Sequence, residues 1–223
     1  MNANPTSAHK SSLATQQADR LVHAAQQGEP GAFDALVRAY RPRVLALGLH
    51  ITGSLSDADD VAQEVFLRAY HHMAGFEGRS HFFTWLYRIA LNQALNCRRR
   101  RPRLAADDAR VDAALEVDAV DDPRRALELR ETYGLLLQGL DALSPKLRAV
   151  VVLVALQGLS YRETAVILET TEGTIAWRLN RARLRLRETM ELVERRPGQA
   201  RALRSARLAE LLRLFPRLAA EPI

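Results

Sequence analysis

Hydrophobic residues recur along this chain at the three- and four-residue spacing of amphipathic helices, and strand-type alternation is scarce. Phe33, Leu36, Val37 and Tyr40 make one helical face. Val44, Leu45, Leu47 and Leu49 make the next, with Pro42 placed to begin that second helix and Gly53 to close it. Ser56 and Asp59 read as a capping box for a helix reaching about His72, with Ala58, Val61, Ala62, Val65 and Ala69 turned inward. A further helix spans Phe82 to Arg100, with Leu86, Ile89, Ala90, Gln93 and Cys97 towards one side.

The second half repeats the theme. Leu129, Tyr133, Leu136, Leu140 and Leu143 keep helical spacing, and Ser144-Pro145 is a cap followed by proline at the first helical position. Val150 to Leu156 is apolar all round, as the central helix of a domain would be. Gly158 can close that helix, and Ser160 with Glu163 makes a capping box for a short helix carrying Tyr161, Ala165 and Leu168. Thr171 caps a helix opening at Glu172, whose apolar face is Ile175, Leu179, Ala182 and Leu186. The expected fold is all-α: two small helical domains, the second a helix-turn-helix, joined by a flexible linker.

Composition supports this, since Ala, Leu, Arg and Glu dominate and aromatics are only 6%. Residues 1–28 read as a mobile tail with a short helix near Leu21–Ala25. The first domain covers 29–101, an acidic linker 102–127, the second domain 128–194, and an extension 195–223. Within it, Ala105 to Pro123 holds Asp107, Asp108, Asp112, Glu116, Asp118, Asp121 and Asp122 against one Arg110. The extension carries Leu208, Leu211, Leu212 and Phe215 on one stripe, either folding back, meeting a partner or simply frayed.

Charge narrows the class. The net charge is +6 over 223 residues, and the sequence pI of about 10.1 favours an anionic partner such as nucleic acid. The single Cys97 excludes an internal disulfide and fits a reducing cytoplasm. No apolar run approaches the ~20 residues that span a bilayer, so membrane insertion is not expected. His71 and His72 are adjacent and His81 lies in a loop. No phosphate-cradling glycine loop, metal spacing or nucleophile–base arrangement appears, so neither catalysis, a metal nor a cofactor is expected.

Three polar stripes carry the functional reading. Thr174, Trp177, Arg178, Arg181 and Arg185 share one side of the last helix, and from Trp177 to Arg187 there are five arginines and no acid. A merely solvated face mixes signs, whereas a groove-binding helix needs this cationic side opposite its apolar one. Trp85, Arg88, Asn92, Asn96 and Arg99 align on another helix, interleaving a ring, amides and guanidinium groups as unpaired bases require. A core tryptophan beside a solvated face explains that stripe equally well. On the third helix Asp60, Gln63, Glu64 and Leu67 point outward, a leucine among acids that fits docking onto a partner, although singly exposed leucines are common.

The segments DADDVAQEVFLRAY (57–70), FEGRSHFFTWLYRIALNQALNCRRR (76–100) and Leu143 to Glu188 together resemble the bacterial sigma-70 family, in particular its two-domain extracytoplasmic-function (ECF) group. The resemblance implies a promoter-specificity subunit of RNA polymerase, not an enzyme. Asp60, Gln63 and Glu64, with Leu67 beside them, would grip the coiled coil of the β′ clamp. Phe76 and Ser80 in the loop, with Trp85 and Asn92 on the helix, would hold a base of the melted −10 strand. Arg88 and the arginine run would meet phosphates, with Asn96 and Arg99 on the same stripe. The last helix would enter the −35 major groove through Thr174, Trp177, Arg178, Asn180, Arg181 and Arg185, its domain also meeting the β-flap. An anti-sigma factor is a common further partner in the family.

The chain departs from the family's usual GTVKSRLxRAR at this helix, reading Gly173-Thr174-Ile175-Ala176-Trp177-Arg178-Leu179-Asn180-Arg181-Ala182-Arg183. Ala176 and Trp177 replace a basic and a small hydroxyl residue, which predicts retained phosphate affinity with an altered −35 preference. A stand-alone helix-turn-helix regulator is the alternative function. It leaves the Trp85/Asn92 stripe and the acidic face without purpose.

Overall fold

The computed structural model describes residues 5–100 and 133–194 apart from 135, with side chains described for 16–100 and for 133–189 apart from 135. Among these residues there is no strand. The first half comprises α1 (Pro5–Gln26), α2 (Ala32–Thr52), α3 (Leu55–His72), a 3₁₀ turn at Met73–Gly75 and α4 (Phe82–Arg100). The second comprises a helical stretch at 136–142, called α5, then α6 (Pro145–Val151), a π-helical turn at Val152–Leu156, α7 (Tyr161–Ile167) and α8 (Glu172–Glu194). The expected acidic linker and C-terminal extension lie outside the described residues.

The fold follows the expected pattern with four differences. The N-terminal tail is largely helical: α1 begins at Pro5, not near Leu21. Its Ala/Gln-rich sequence lacks a hydrophobic period but has high helix propensity, and Ala18 and Val22 are buried in the first half. Pro42 does not start a helix but lies within the continuous α2. The missing N–H leaves the Arg38 carbonyl without its helical partner, and both Arg38 and Pro42 are exposed, so water can reach this turn. The cap of α3 is Ser54, not Ser56: its hydroxyl accepts from the Asp57 amide at 3.2 Å, two residues upstream of the expected box. The buried stripe of α4 runs through Leu86, Tyr87, Ala90, Leu91 and Ala94, while Ile89, Gln93 and Cys97 are half-buried at its edge.

Helices α2, α3 and α4 pack mutually, with α1 laid along α2, and every inward residue expected for α3 is buried. Gly53 ends α2 in the left-handed conformation, φ 82°, its amide returning to the Leu49 carbonyl at 2.9 Å. In the second half α8 buries Ile175, Leu179, Ala182 and Leu186 against α6 and α7. The capping box of α7 is formed in both directions: the Ser160 hydroxyl accepts from the Glu163 amide at 3.2 Å and the Glu163 carboxylate accepts from the Ser160 amide at 2.7 Å.

The two halves meet in one contiguous hydrophobic cluster, Leu47, Val65 and Leu86 on one side and Leu137, Val151 and Leu179 on the other. At their junction stands Arg148, only 1% exposed. Its guanidinium donates to the carbonyls of Leu140 (2.7 Å), Asp141 (3.1 Å) and Leu143 (3.1 Å) at the end of α5, and across the junction to Ile51 (3.2 Å) near the end of α2. Arg98 reaches the same place from α4, donating to Ile51 O at 2.8 Å and to the Asp141 carboxylate at 3.1 Å. Both cations sit where the α2 dipole is negative. His50 and Tyr133 are hydrogen-bonded beside them.

Helices α2 and α3 cross closely at Gly48, where a Cβ would stand 3.2 Å from Cα and 3.3 Å from Cβ of Ala58. Gly48→Val should therefore overpack this crossing and lower unfolding stability by about 1–3 kcal/mol. Denaturant titration of parent and variant measures the loss.

Candidate nucleic-acid and polymerase interface

The loop between the 3₁₀ turn and α4 is fixed by its own aromatic side chain and by α1. Phe76 lies 5.1 Å from Trp85 and 5.9 Å from Phe82, centroid to centroid, and Phe82 lies 5.7 Å from Trp85. Edge and tilted contacts of this kind favour defined ring orientations. The Gln26 amide donates to the carbonyls of Phe76 (2.8 Å) and Met73 (3.1 Å), holding the loop from behind. Gln26 was not singled out by the sequence, because a glutamine ending an unpatterned helix carries no sign of a distant partner.

Phe76, Ser80 and Trp85 are half-buried and Asn92 is exposed, so the α4 stripe is neither a plain core tryptophan nor a purely solvated face. Ser80 makes a 3.5 Å contact with the His81 carbonyl. Further along the stripe, Arg99 donates to the Asn96 side-chain oxygen. Arg88 is turned to the second half: it donates to the Val166 carbonyl of α7 at 2.8 Å and pairs with Glu169 at 3.3 Å. An open groove bordered by Asp19, Gln26, Phe76, Ser80, Arg162 and Glu163 runs between the loop, α1 and α7.

On α3 the outward positions form a continuous strip. Asp60 and Gln63 are exposed, and Glu64 pairs with Arg68 at 2.5 Å. Leu67 is 53% exposed with Tyr70 exposed beside it, giving an apolar spot edged by acids.

On α8 the Thr171 hydroxyl accepts from the Thr174 amide at 3.2 Å, and the two threonine hydroxyls are 2.9 Å apart. Trp177 is 66% exposed, Arg181 and Arg185 are exposed, and Thr174, Arg178 and Asn180 are half-buried. Arg185 contacts Glu188 at 3.2 Å. The exposed indole has cations suited to phosphate as its neighbours on this face. The three groups of residues thus occupy three separate surfaces: α3 outward, the loop with α4, and α8 outward.

Comparison with known proteins assigns both halves. Residues 36–104 match Sigma-70 region 2 and residues 133–186 match Sigma-70 region 4. The RNA polymerase sigma-H factor of Pseudomonas aeruginosa is 37% identical over 180 residues, covering 77% of this chain and 92% of that protein. The ECF RNA polymerase sigma-E factor of Escherichia coli K12 is 35% identical over 170 residues, covering 73% and 88%. Among solved structures, CnrH in complex with the cytosolic domain of CnrY aligns at a TM-score of 0.60 with 27% identity, covering 79% of this chain and 98% of that one. The sigma factor RpoE of Bartonella quintana, crystallised with the anti-sigma factor NepR, shares the fold at a TM-score of 0.54.

The chain belongs to the ECF group of sigma-70 family RNA polymerase sigma factors. It is a transcription initiation factor with one DNA-reading unit in each half, and nothing supports the stand-alone regulator. No helix among the described residues is long and apolar enough to cross a membrane.

Proposed function

We propose that the chain docks on core RNA polymerase through α3, holds the melted −10 strand with the loop and α4, and seats α8 in the −35 major groove, acting in the cytoplasm without catalysis of its own. The observation that carries this reading is the Phe76–Trp85 pair, half-buried at 5.1 Å and backed by Phe82. Rings so braced offer edges and faces to an unstacked base, with Asn92 exposed on the same helix to supply amide donors and an acceptor. Flipping a base costs a few kcal/mol, and such contacts must offset it.

Polymerase contact falls to Asp60, Gln63, Glu64 and Leu67, where acids would meet a basic partner surface and the leucine would be covered. The −35 duplex falls to Thr174, Trp177, Arg178, Asn180, Arg181 and Arg185, while Arg88, Asn96 and Arg99 serve backbone phosphates along the single strand. A regulatory protein partner is also proposed, because CnrH, whose fold this chain shares, is in complex with the cytosolic domain of CnrY.

Trp177 sets the −35 preference on this account. The indole has one N–H donor and no acceptor, so it cannot make a bidentate contact with a base edge, but it suits the thymine methyl group in the major groove.

The test is open-complex formation by purified core enzyme on a promoter selected with this chain. Asn92→Ala should reduce open complex on the order of tenfold with core affinity unchanged, since it removes base contacts only. Equal opening by variant and parent refutes the role. Asp60→Arg should weaken core association at least about tenfold by placing like charge on a basic surface, and fluorescence titration against core measures it. Sequence selection on randomised −35 duplexes should return a thymine preference at one position that Trp177→Ser abolishes. Recovery of the family's common AAC-type element by both proteins would count against it.

A further inference from the structure

Helix α1 lies wholly before the residues matched to Sigma-70 region 2, and none of the surfaces assigned above to DNA or polymerase draws on it. Its last residue, Gln26, nevertheless reaches the loop assigned to the melted strand. The end of α1 is itself fixed. Gly28 stands in the left-handed conformation, φ 76°, with its amide bonded to the Ala25 carbonyl at 3.1 Å and the Glu29 amide to the Ala24 carbonyl at 3.0 Å. That double closure stops the helix in one defined geometry. Ala18 and Val22, buried on the same helix, hold it against the first half.

From this fixed point one amide nitrogen meets two carbonyls, that of Phe76 at 2.8 Å and that of Met73 at 3.1 Å, 50 and 47 residues away in sequence. A side-chain NH2 has two hydrogens, so both bonds form at once. The Met73 carbonyl also accepts from the Phe76 amide at 3.1 Å, so Gln26 braces the backbone where the 3₁₀ turn gives way to the loop. Beyond Phe76 such support stops. Among the described residues no backbone–backbone hydrogen bond engages 77–80, and Gly78 takes φ 70°. Pairing resumes at His81, whose carbonyl accepts from the Thr84 amide at 3.0 Å. The ring follows the backbone: with its own carbonyl anchored, Phe76 is set against Trp85 and Phe82.

We propose that Gln26 is a positioning residue for −10 recognition. It touches no base itself. Through the Phe76 backbone it sets the ring pair that captures one, and so how well a matched strand is told from any other. The inference rests on the role proposed above for the loop and α4. Without the two bonds the loop samples positions in which the rings part, and a captured base must then order the loop as well as leave its stack. Phosphate contacts made from α4 remain, so the loss falls on discrimination and not on affinity for strands in general.

The test uses holoenzyme assembled from core polymerase and the full chain, above neutral pH where a carboxylate is ionised. Two variants remove the donors in different ways: Gln26→Leu keeps bulk and charge, and Gln26→Glu keeps shape but puts an acceptor in place of the NH2. Each should lower the ratio of affinities for a single strand carrying the selected −10 element over a scrambled strand roughly tenfold, the effect of two neutral hydrogen bonds. In Gln26→Leu the affinities for the scrambled strand and for core should stay within about twofold of the parent. In the free chain carrying Trp177→Phe, Trp85 is the sole indole, and both variants should raise its quenching by acrylamide as Phe76 leaves it. Discrimination retained by either Gln26 variant overturns the proposal. So does an equal loss on both strands, which marks general damage, or quenching that does not change. Phe76→Ala is the reference: loss of discrimination there but not in Gln26→Leu sinks the positioning role alone, whereas retention by Phe76→Ala sinks the reading of the loop and this inference with it.

Discussion

A buried cation needs partners, and Arg148 finds them on both sides of a junction. Taking a guanidinium out of water costs several kcal/mol unless its donors are met. Here the carbonyls at the end of α5 and the Ile51 carbonyl near the end of α2 meet them, with Arg98 and Asp141 adjoining. That junction determines how the two halves stand to one another in the described structure, and through it which surfaces are covered. Arg88, on the stripe of α4 proposed to read the single strand, meets α7, while the outer faces of α3 and α8 point elsewhere.

Much of this was legible in the chain. The inward residues of α3 and α8, the Ser160–Glu163 box and the Thr171 cap all depend on neighbours within a turn or two, which periodicity and local hydrogen bonding specify directly. The three stripes proposed to carry function were visible as patterns for the same reason: each lies on one helix. Whether Trp85 belonged to core or surface was not readable. Its half-burial comes from Phe76 and Phe82, one in a loop and one at the helix start, brought together only by the tertiary turn at Gly78 to His81.

What escaped the sequence is long-range or permissive. Pro42 normally breaks a helix, yet α2 continues through it because that turn faces solvent. The helicity of α1 rests on propensity without a hydrophobic period. The burial of Arg148 could not be foreseen, since an arginine in an apolar helix reads as a surface position until the Ile51 carbonyl, 97 residues away in sequence, is placed against it. A charged pattern reports where cations are, not which of them the protein keeps for itself.

Both halves of the family are present in one chain, and the account requires that they serve one machine. Mapping of transcript 5′ ends made by purified core RNA polymerase, with and without this protein, tests that most directly. The account predicts start sites that appear only when both are present, each preceded by a common pair of upstream elements. Start sites identical in position and yield with and without the chain would contradict it.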